Sequence, residues 1–136
     1  MPQLMKFIIP ITLSWILAGL FPLLAYAQNI SQYEIMGRWE VVKVTENDQD
    51  ISSSLDNNAQ RWIEFISDDR YNSDGYPFGR YDGEYLLDED SGSLVLKSTS
   101  TGSRSMKWNA RYDGEYLVLE GTGQLKLYKF FLRKTF

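Results

Sequence analysis

A chain of 136 residues leaves room for one domain, and one without cysteine or histidine has no thiolate nucleophile, zinc–thiolate centre, Ser-His-Asp triad or His-ligated haem. Its 18 acidic against 14 basic residues give a net charge of −4, which argues against nucleic acid or anionic lipid as a partner. The acids sit in turn-like clusters, Asp68-Asp69 and Asp88-Glu89-Asp90, and read as solvated loops.

Taken in chain order, residues 1–27 stand apart. Lys6 is their only charge, residues 7–24 are almost wholly apolar, and Ala25-Tyr26-Ala27 is a small-x-small cleavage signal. The expectation is a signal peptide with Gln28 as the first mature residue and 28–136 as a single domain. A retained membrane anchor is the competing reading, since about 20 apolar residues can span a bilayer; Pro10 and Pro22 interrupt the run. Without cysteine there is no lipid attachment at an N-terminal thiol, so the expected destination is the periplasm or the exterior, with no stable membrane insertion after cleavage. A domain of this size buries enough surface to fold without disulfides.

Residues 30–36 allow one short helical turn. After them the apolar residues alternate, or come in short β-branched and aromatic runs between Gly, Asn, Asp and Ser clusters, which is a strand-and-turn pattern. The strands predicted are 37–45, 61–67, one beginning at 70–72, 78–88, 93–99, 103–112, 115–120 and 124–134. Residues 47–58 form the longest loop and a candidate lid, and Ser73-Asp74-Gly75 a turn. About eight strands with short connections make an antiparallel meander.

The meander contains an internal match. Arg80-Tyr81-Asp82-Gly83-Glu84-Tyr85-Leu86 recurs unchanged as Arg111-Tyr112-Asp113-Gly114-Glu115-Tyr116-Leu117, and Gly92-x-Leu94-x-Leu96 is echoed by Gly123-x-Leu125-x-Leu127. Asp-Gly tolerates the positive φ of a tight hairpin. Asp113-Gly114 therefore predicts a hairpin, whereas Asp82-Gly83 fits either a hairpin or a bulge within a longer strand. Two short copies are too few for a solenoid.

An open meander leaves two exposed edges, and closing the first strand onto the last removes both. The fold class expected is all-β: one antiparallel up-and-down barrel preceded by a signal peptide. Gly37-Arg38-Trp39 opens the first strand as a Gly-x-Trp, Arg133 lies near the end of the last, and Phe65-x-x-Asp68, Leu94-x-Leu96 and Leu117-x-Leu119 fall between them. In these features the chain resembles the bacterial lipocalin-like domains of the calycin-type barrels. The resemblance implies that Arg133 stacks across Trp39 to close the barrel base. It departs from classical lipocalins in its shorter length, and in lacking a Thr-Asp-Tyr motif and a C-terminal helix.

Alternation points Trp39, Val41, Ile63, Phe65, Tyr85, Leu87, Leu94 and Leu96 inward, followed by Met106, Trp108, Ala110, Tyr112, Leu117 and Leu119. The phase of the last strand stays open, because Tyr128, Phe130, Phe131 and Leu132 occupy both parities. An eight-stranded barrel is either filled by such side chains or hollow enough for one small ligand. The carrier reading is an apolar or amphipathic ligand held by Phe65, Tyr85, Trp108, Tyr112 and Leu119. The other reading is a protein-binding module, an exported inhibitor or an accessory subunit of an envelope complex, using the 47–58 loop with Trp62, Tyr76 or Phe78 exposed. Asp88-x-Asp90-Ser91-Gly92 faintly suggests a calcium loop but lacks the ligand spacing and closing Glu. No catalytic residue, metal site or cofactor is expected, and the chain does not read as an enzyme.

Overall fold

The computed structural model describes residues 30–99 and 104–135; the expected signal segment lies outside them. The chain begins with a short helix, α1 (Gln32–Ile35), whose Ser31 cap accepts a hydrogen bond from the Glu34 N–H at 3.0 Å. Nine strands follow among the described residues: β1 (Gly37–Glu46), β2 (Gln49–Asp50), β3 (Trp62–Ile66), β4 (Arg70–Asp74), β5 (Tyr81–Asp88), β6 (Ser93–Ser98), β7 (Ser105–Asp113), β8 (Tyr116–Gly121) and β9 (Tyr128–Lys134). β2 is a two-residue return on β1. The other eight pair with their sequence neighbours, and β9 pairs back on β1, so the molecule is an antiparallel, closed, up-and-down barrel.

Closure depends on β1, which serves two partners on one side. Its first residues, Gly37 to Glu40, pair with β3, and its last, Thr45 and Glu46, pair with β2. The other side runs along β9 with a register shift between Val41 and Lys43. The extra residue reverses the alternation. Trp39 and Val41 face the core before it, and Val44, opposite Phe130, is buried after it. In β9 the open phase resolves as Phe130 and Leu132 inward and Phe131 outward. Every residue predicted to face inward is either buried or packed against the core.

The two copies of the heptapeptide adopt different structures. Gly114 and Glu115 are the two loop residues between Asp113 and Tyr116, and only Gly114 has positive φ (61°), as in a type II′ hairpin rather than an Asp-Gly turn. Asp82 and Gly83 lie within β5, paired in unbroken register with Asn72 and Tyr71. The reason is tertiary: on its other side Gly83 pairs with Ser98, and a Cβ there would stand 2.0 Å from the Lys97 carbonyl oxygen. Its glycine answers a close approach of two strands, not a turn. The echoed Gly123-x-Leu125 likewise forms a 3-10 turn, and Leu127 is exposed, so β9 begins at Tyr128 rather than at 124.

Other predicted boundaries shift for related reasons. Ser73 and Asp74 belong to β4, and β5 starts at Tyr81 because residues 75–80 fold over the barrel end. The 47–58 segment is fastened to β1 and does not hang free as a lid: the Val44 N–H donates to Ser52 Oγ at 2.9 Å and the Ile51 N–H to the Val44 carbonyl at 2.9 Å. Asp88 Oδ1 accepts the N–H groups of Asp90 (3.0 Å) and Ser91 (3.3 Å), so the faint calcium loop is the β5–β6 turn.

Candidate functional site

Each barrel end is closed by a different part of the chain. At the first end α1 lies across the start of β1 and the end of β9. The Trp39 indole N–H donates to the Ile35 carbonyl (2.8 Å), Lys134 Nζ donates to the Glu34 carbonyl (3.2 Å), and Ile30 and Ile35 are buried. The Gln32 side-chain amide reaches the Asp69 carboxylate, and the Gln32 N–H donates to Glu89 (2.7 Å), tying α1 to the hairpin turns. At the opposite end the 75–80 connection inserts Phe78, fully buried and 5.9 Å from the Trp108 ring. Ile51 and Leu55 pack beside the core from the 47–58 segment.

Between these closures aromatic rings occupy the interior. Phe65 meets Tyr85 edge-on at 4.9 Å, and Trp108 meets Phe130 edge-on at 5.6 Å. Of the residues predicted to hold a ligand, Phe65, Tyr85, Trp108 and Leu119 are buried in this packing. Tyr112 is half-buried at the α1 end, 6.2 Å from Trp39. The five line one interior, with Tyr112 beside Trp39 at the α1 end and Trp108 beside Phe78 at the other.

The expected closure by Arg133 is corrected. Arg133 points outward, 5.4 Å over Tyr116, donating to the Tyr116 hydroxyl (3.1 Å) and pairing with Glu115 (3.6 Å). Lys134, one position on, takes the inward phase of Leu132, pairs with Trp39 and holds Nζ 5.4 Å from the indole centroid. Two exposures predicted from sequence also change. Phe78 is buried, and Trp62 is half-buried with the Arg38 guanidinium stacked 3.9 Å over its ring. Tyr76 stays open to solvent.

Besides a depression of about 190 Å³ beside Tyr85 and the Asp68-Asp69 turn, two depressions adjoin residues predicted to hold a ligand. One, of about 230 Å³, lies at the end opposite α1 beside Met106, Trp108 and Leu125. The Trp108 indole N–H is buried without a hydrogen-bond partner. The other, of about 400 Å³, lies at the α1 end between Trp39 and Tyr112, with Tyr33 and Glu34 from α1, the Gly114-Glu115 turn and Lys134 around it. The Tyr112 hydroxyl is likewise buried and unpartnered. Burial, and then the negative charge of Glu34, push the Tyr112 phenol up to about 12. Because this value exceeds that of the unfolded chain, the stability linked to it is fully present below about pH 10 and is lost as pH rises toward 12. Burial also raises Tyr71 and Tyr85, and the bond to Glu46 raises Tyr128, so absorbance titration of tyrosinate should show a late-ionising group of phenols, of which Tyr112→Phe removes one. If Tyr112→Phe leaves the late part of that titration unchanged, the burial of Tyr112 is refuted.

Lys134, Tyr33 and Glu34 carry no signal in the sequence that marks them as site residues at first sight. Continuing the Phe130–Leu132 parity by one step would have indicated Lys134; nothing local marks the position of α1 against the barrel. Among the described residues no three acidic side chains gather as a metal site. Comparison of the chain with protein-family models, with curated proteins and with solved structures finds no match.

Proposed function

We propose that this protein is an exported protein-binding module, an inhibitor or an accessory subunit of an envelope complex, in which the barrel acts as a rigid stand. The observation that carries the reading is an interior occupied by the chain's own rings, from Phe65–Tyr85 to Phe78–Trp108–Phe130, under closed ends. At the end opposite α1, Tyr76 is 48% exposed and Leu127 52% exposed, and Tyr76 and Tyr128 both pack on Phe130 (5.7 and 6.3 Å). An aromatic rim backed by a packed core presents apolar area at low entropic cost. Kinship with lipocalin-like domains belongs to the same proposal, supported by the closed barrel and the Gly37-x-Trp39 opening, with Lys134 in the place expected for Arg133.

A second reading, the carrier of a small apolar or amphipathic molecule, is favoured by the unpartnered Trp108 N–H beside the 230 Å³ depression. Affinity capture from the native envelope separates the two. We expect a protein partner retained by the wild-type barrel and lost by the Tyr76→Ala/Leu127→Ala variant. A co-purified lipid in native mass spectrometry, displaced by a naphthylamine dye that quenches Trp108, would replace this reading with the carrier.

A further inference from the structure

The sequence holds three Asp-Gly pairs, at 74–75, 82–83 and 113–114, and the fold sets each in a different backbone. In Asp-Gly a side-chain carboxyl easily meets the next main-chain nitrogen, since glycine has no Cβ to screen it. Asp74 is held by Arg80 (3.3 Å), and the Gly75 carbonyl accepts the N–H groups of Phe78 (2.9 Å) and Gly79 (2.8 Å). A Cβ on Gly75 would collide with the Gln60 carbonyl oxygen, so this backbone has no room to turn. Asp82 pairs with Arg70 (3.7 Å), and its carbonyl accepts the N–H (3.0 Å) and the hydroxyl (3.2 Å) of Thr99. Those bonds fix the peptide unit that would have to rotate, and Gly83 is paired on both sides.

Asp113-Gly114 lacks these restraints. Both residues are exposed, and the Asp113 carboxylate has no ion pair or hydrogen bond among the described residues. The Gly114 N–H lies in the turn and donates to no backbone group among the described residues. A Cβ on Gly114 would meet nothing within 4 Å. Asp113 and Tyr116 are the last pair of the β7–β8 ladder, where opening costs least. We infer that Asp113-Gly114 is a site of spontaneous covalent modification, converting to a succinimide and then to isoaspartate in the folded protein, while the other two pairs are protected. The Gly114 nitrogen bonds to the Asp113 Cγ, and the carboxyl, protonated by solvent, loses its hydroxyl with the amide proton as water. Water then cleaves one of the two ring C–N bonds. Cleavage at Cγ restores aspartate. Cleavage at the main-chain carbonyl carbon leaves the chain running through Cγ, one carbon longer, with a free α-carboxylate. One water leaves and one enters, so no other reactant is needed. The product reshapes the turn that carries Glu115, the partner of Arg133, at the α1 end. This inference stands apart from the partner-binding proposal, whose rim lies at the other end of the barrel.

Trypsin places the three pairs on separate peptides, 71–80, 81–97 and 112–126, so each is read independently. Protein recovered after expression of the full chain is held folded in warm neutral buffer for several weeks, with a parallel sample in urea, and both are digested. Reversed-phase chromatography with electron-transfer fragmentation then tells isoaspartate from aspartate at equal mass. Expected in the folded protein is isoaspartate in the 112–126 peptide. The 71–80 and 81–97 peptides should convert more slowly by roughly tenfold or more, because paired backbone reacts only in its locally opened fraction. In urea the 81–97 and 112–126 peptides, which share Tyr-Asp-Gly-Glu, should convert alike. Asp113→Glu, at an exposed turn, should melt as the wild type does and abolish the conversion, because the ring would then need six members. Gly114→Ala, which screens the nitrogen, should slow it several-fold. The inference is overturned if the 112–126 peptide stays unconverted in the folded protein, if either other peptide keeps pace with it, if 81–97 and 112–126 differ as much in urea as when folded, or if the product persists in Asp113→Glu.

Discussion

Trp108→Ala is expected to rank among the most damaging single truncations in the barrel. Trp108 is buried against Phe78 and Phe130, so its ring packs the 75–80 plug against the barrel wall. Removing a buried indole costs about 4 kcal/mol through lost transfer energy and the cavity left behind. Against a total stability of about 5–15 kcal/mol for a domain, that is enough to leave the protein partly unfolded at 37 °C. Phe78 would lose its packing partner as well, so the near-ultraviolet circular dichroism should fall along with the urea midpoint. Trp108→Phe keeps an aromatic ring and deletes the unpartnered indole N–H, and should cost less than about 1.5 kcal/mol. Urea unfolding of the two variants checks the contrast; equal losses would mean that the indole nitrogen, not the ring packing, matters at this position.

The second large effect separates the two heptapeptide copies. Gly83→Ala places a methyl group 2.0 Å from the Lys97 carbonyl oxygen and 2.9 Å from the Ser98 Cα, both backbone atoms of a paired strand. Neither strand yields cheaply, since Gly83 is also paired with Tyr71 on the other side. A loss of about 3 kcal/mol is expected, toward the upper end of overpacking costs, and near 15 °C in melting temperature for a domain of this size. Gly114→Ala meets no atoms, and its cost is the positive φ alone, about 1 kcal/mol. Thermal melts of both variants suffice. Equal melting shifts would mean that the two Asp-Gly pairs occupy the same kind of backbone after all.

The same comparison shows how far local pattern reaches. The same seven residues supply most of the mid-barrel strand β5 in one copy and form a hairpin in the other. Hydrogen bonding to Ser98 and Tyr71 decides the first case, and Asp113 facing Tyr116 across two residues decides the second. Neither set of partners is visible within the heptapeptide. The 75–80 connection is similar. Its aromatic residues suggested exposure, yet Phe78 is drawn into the barrel because the ring of Trp108 waits there.

The candidate site was legible in part. Phe65, Tyr85, Trp108, Tyr112 and Leu119 followed from alternation, since strand parity sends every second side chain to one face. Their use did not follow. Ring-on-ring packing fills the space they line, and the half-buried Tyr112 alone reaches the α1-end depression. Lys134 replaced Arg133 over Trp39 because a one-residue difference in phase moves a side chain through the sheet.

The amino-acid sequence by itself determined the all-β class, the short meandering connections, the inward set from Trp39 to Leu119 and the closure of first strand on last. These rest on alternation and turn chemistry, which act over a few residues. Only the tertiary structure decided the rest: the β1 bulge that reverses parity at Val44, the plugging of the two ends by α1 and Phe78, and the burial of Val118 on the outer face between Arg111 and Phe131. Each depends at least in part on partners distant in the chain, Phe130 for Val44, Lys134 for α1, Trp108 for Phe78 and Phe131 for Val118, which local pattern does not reach.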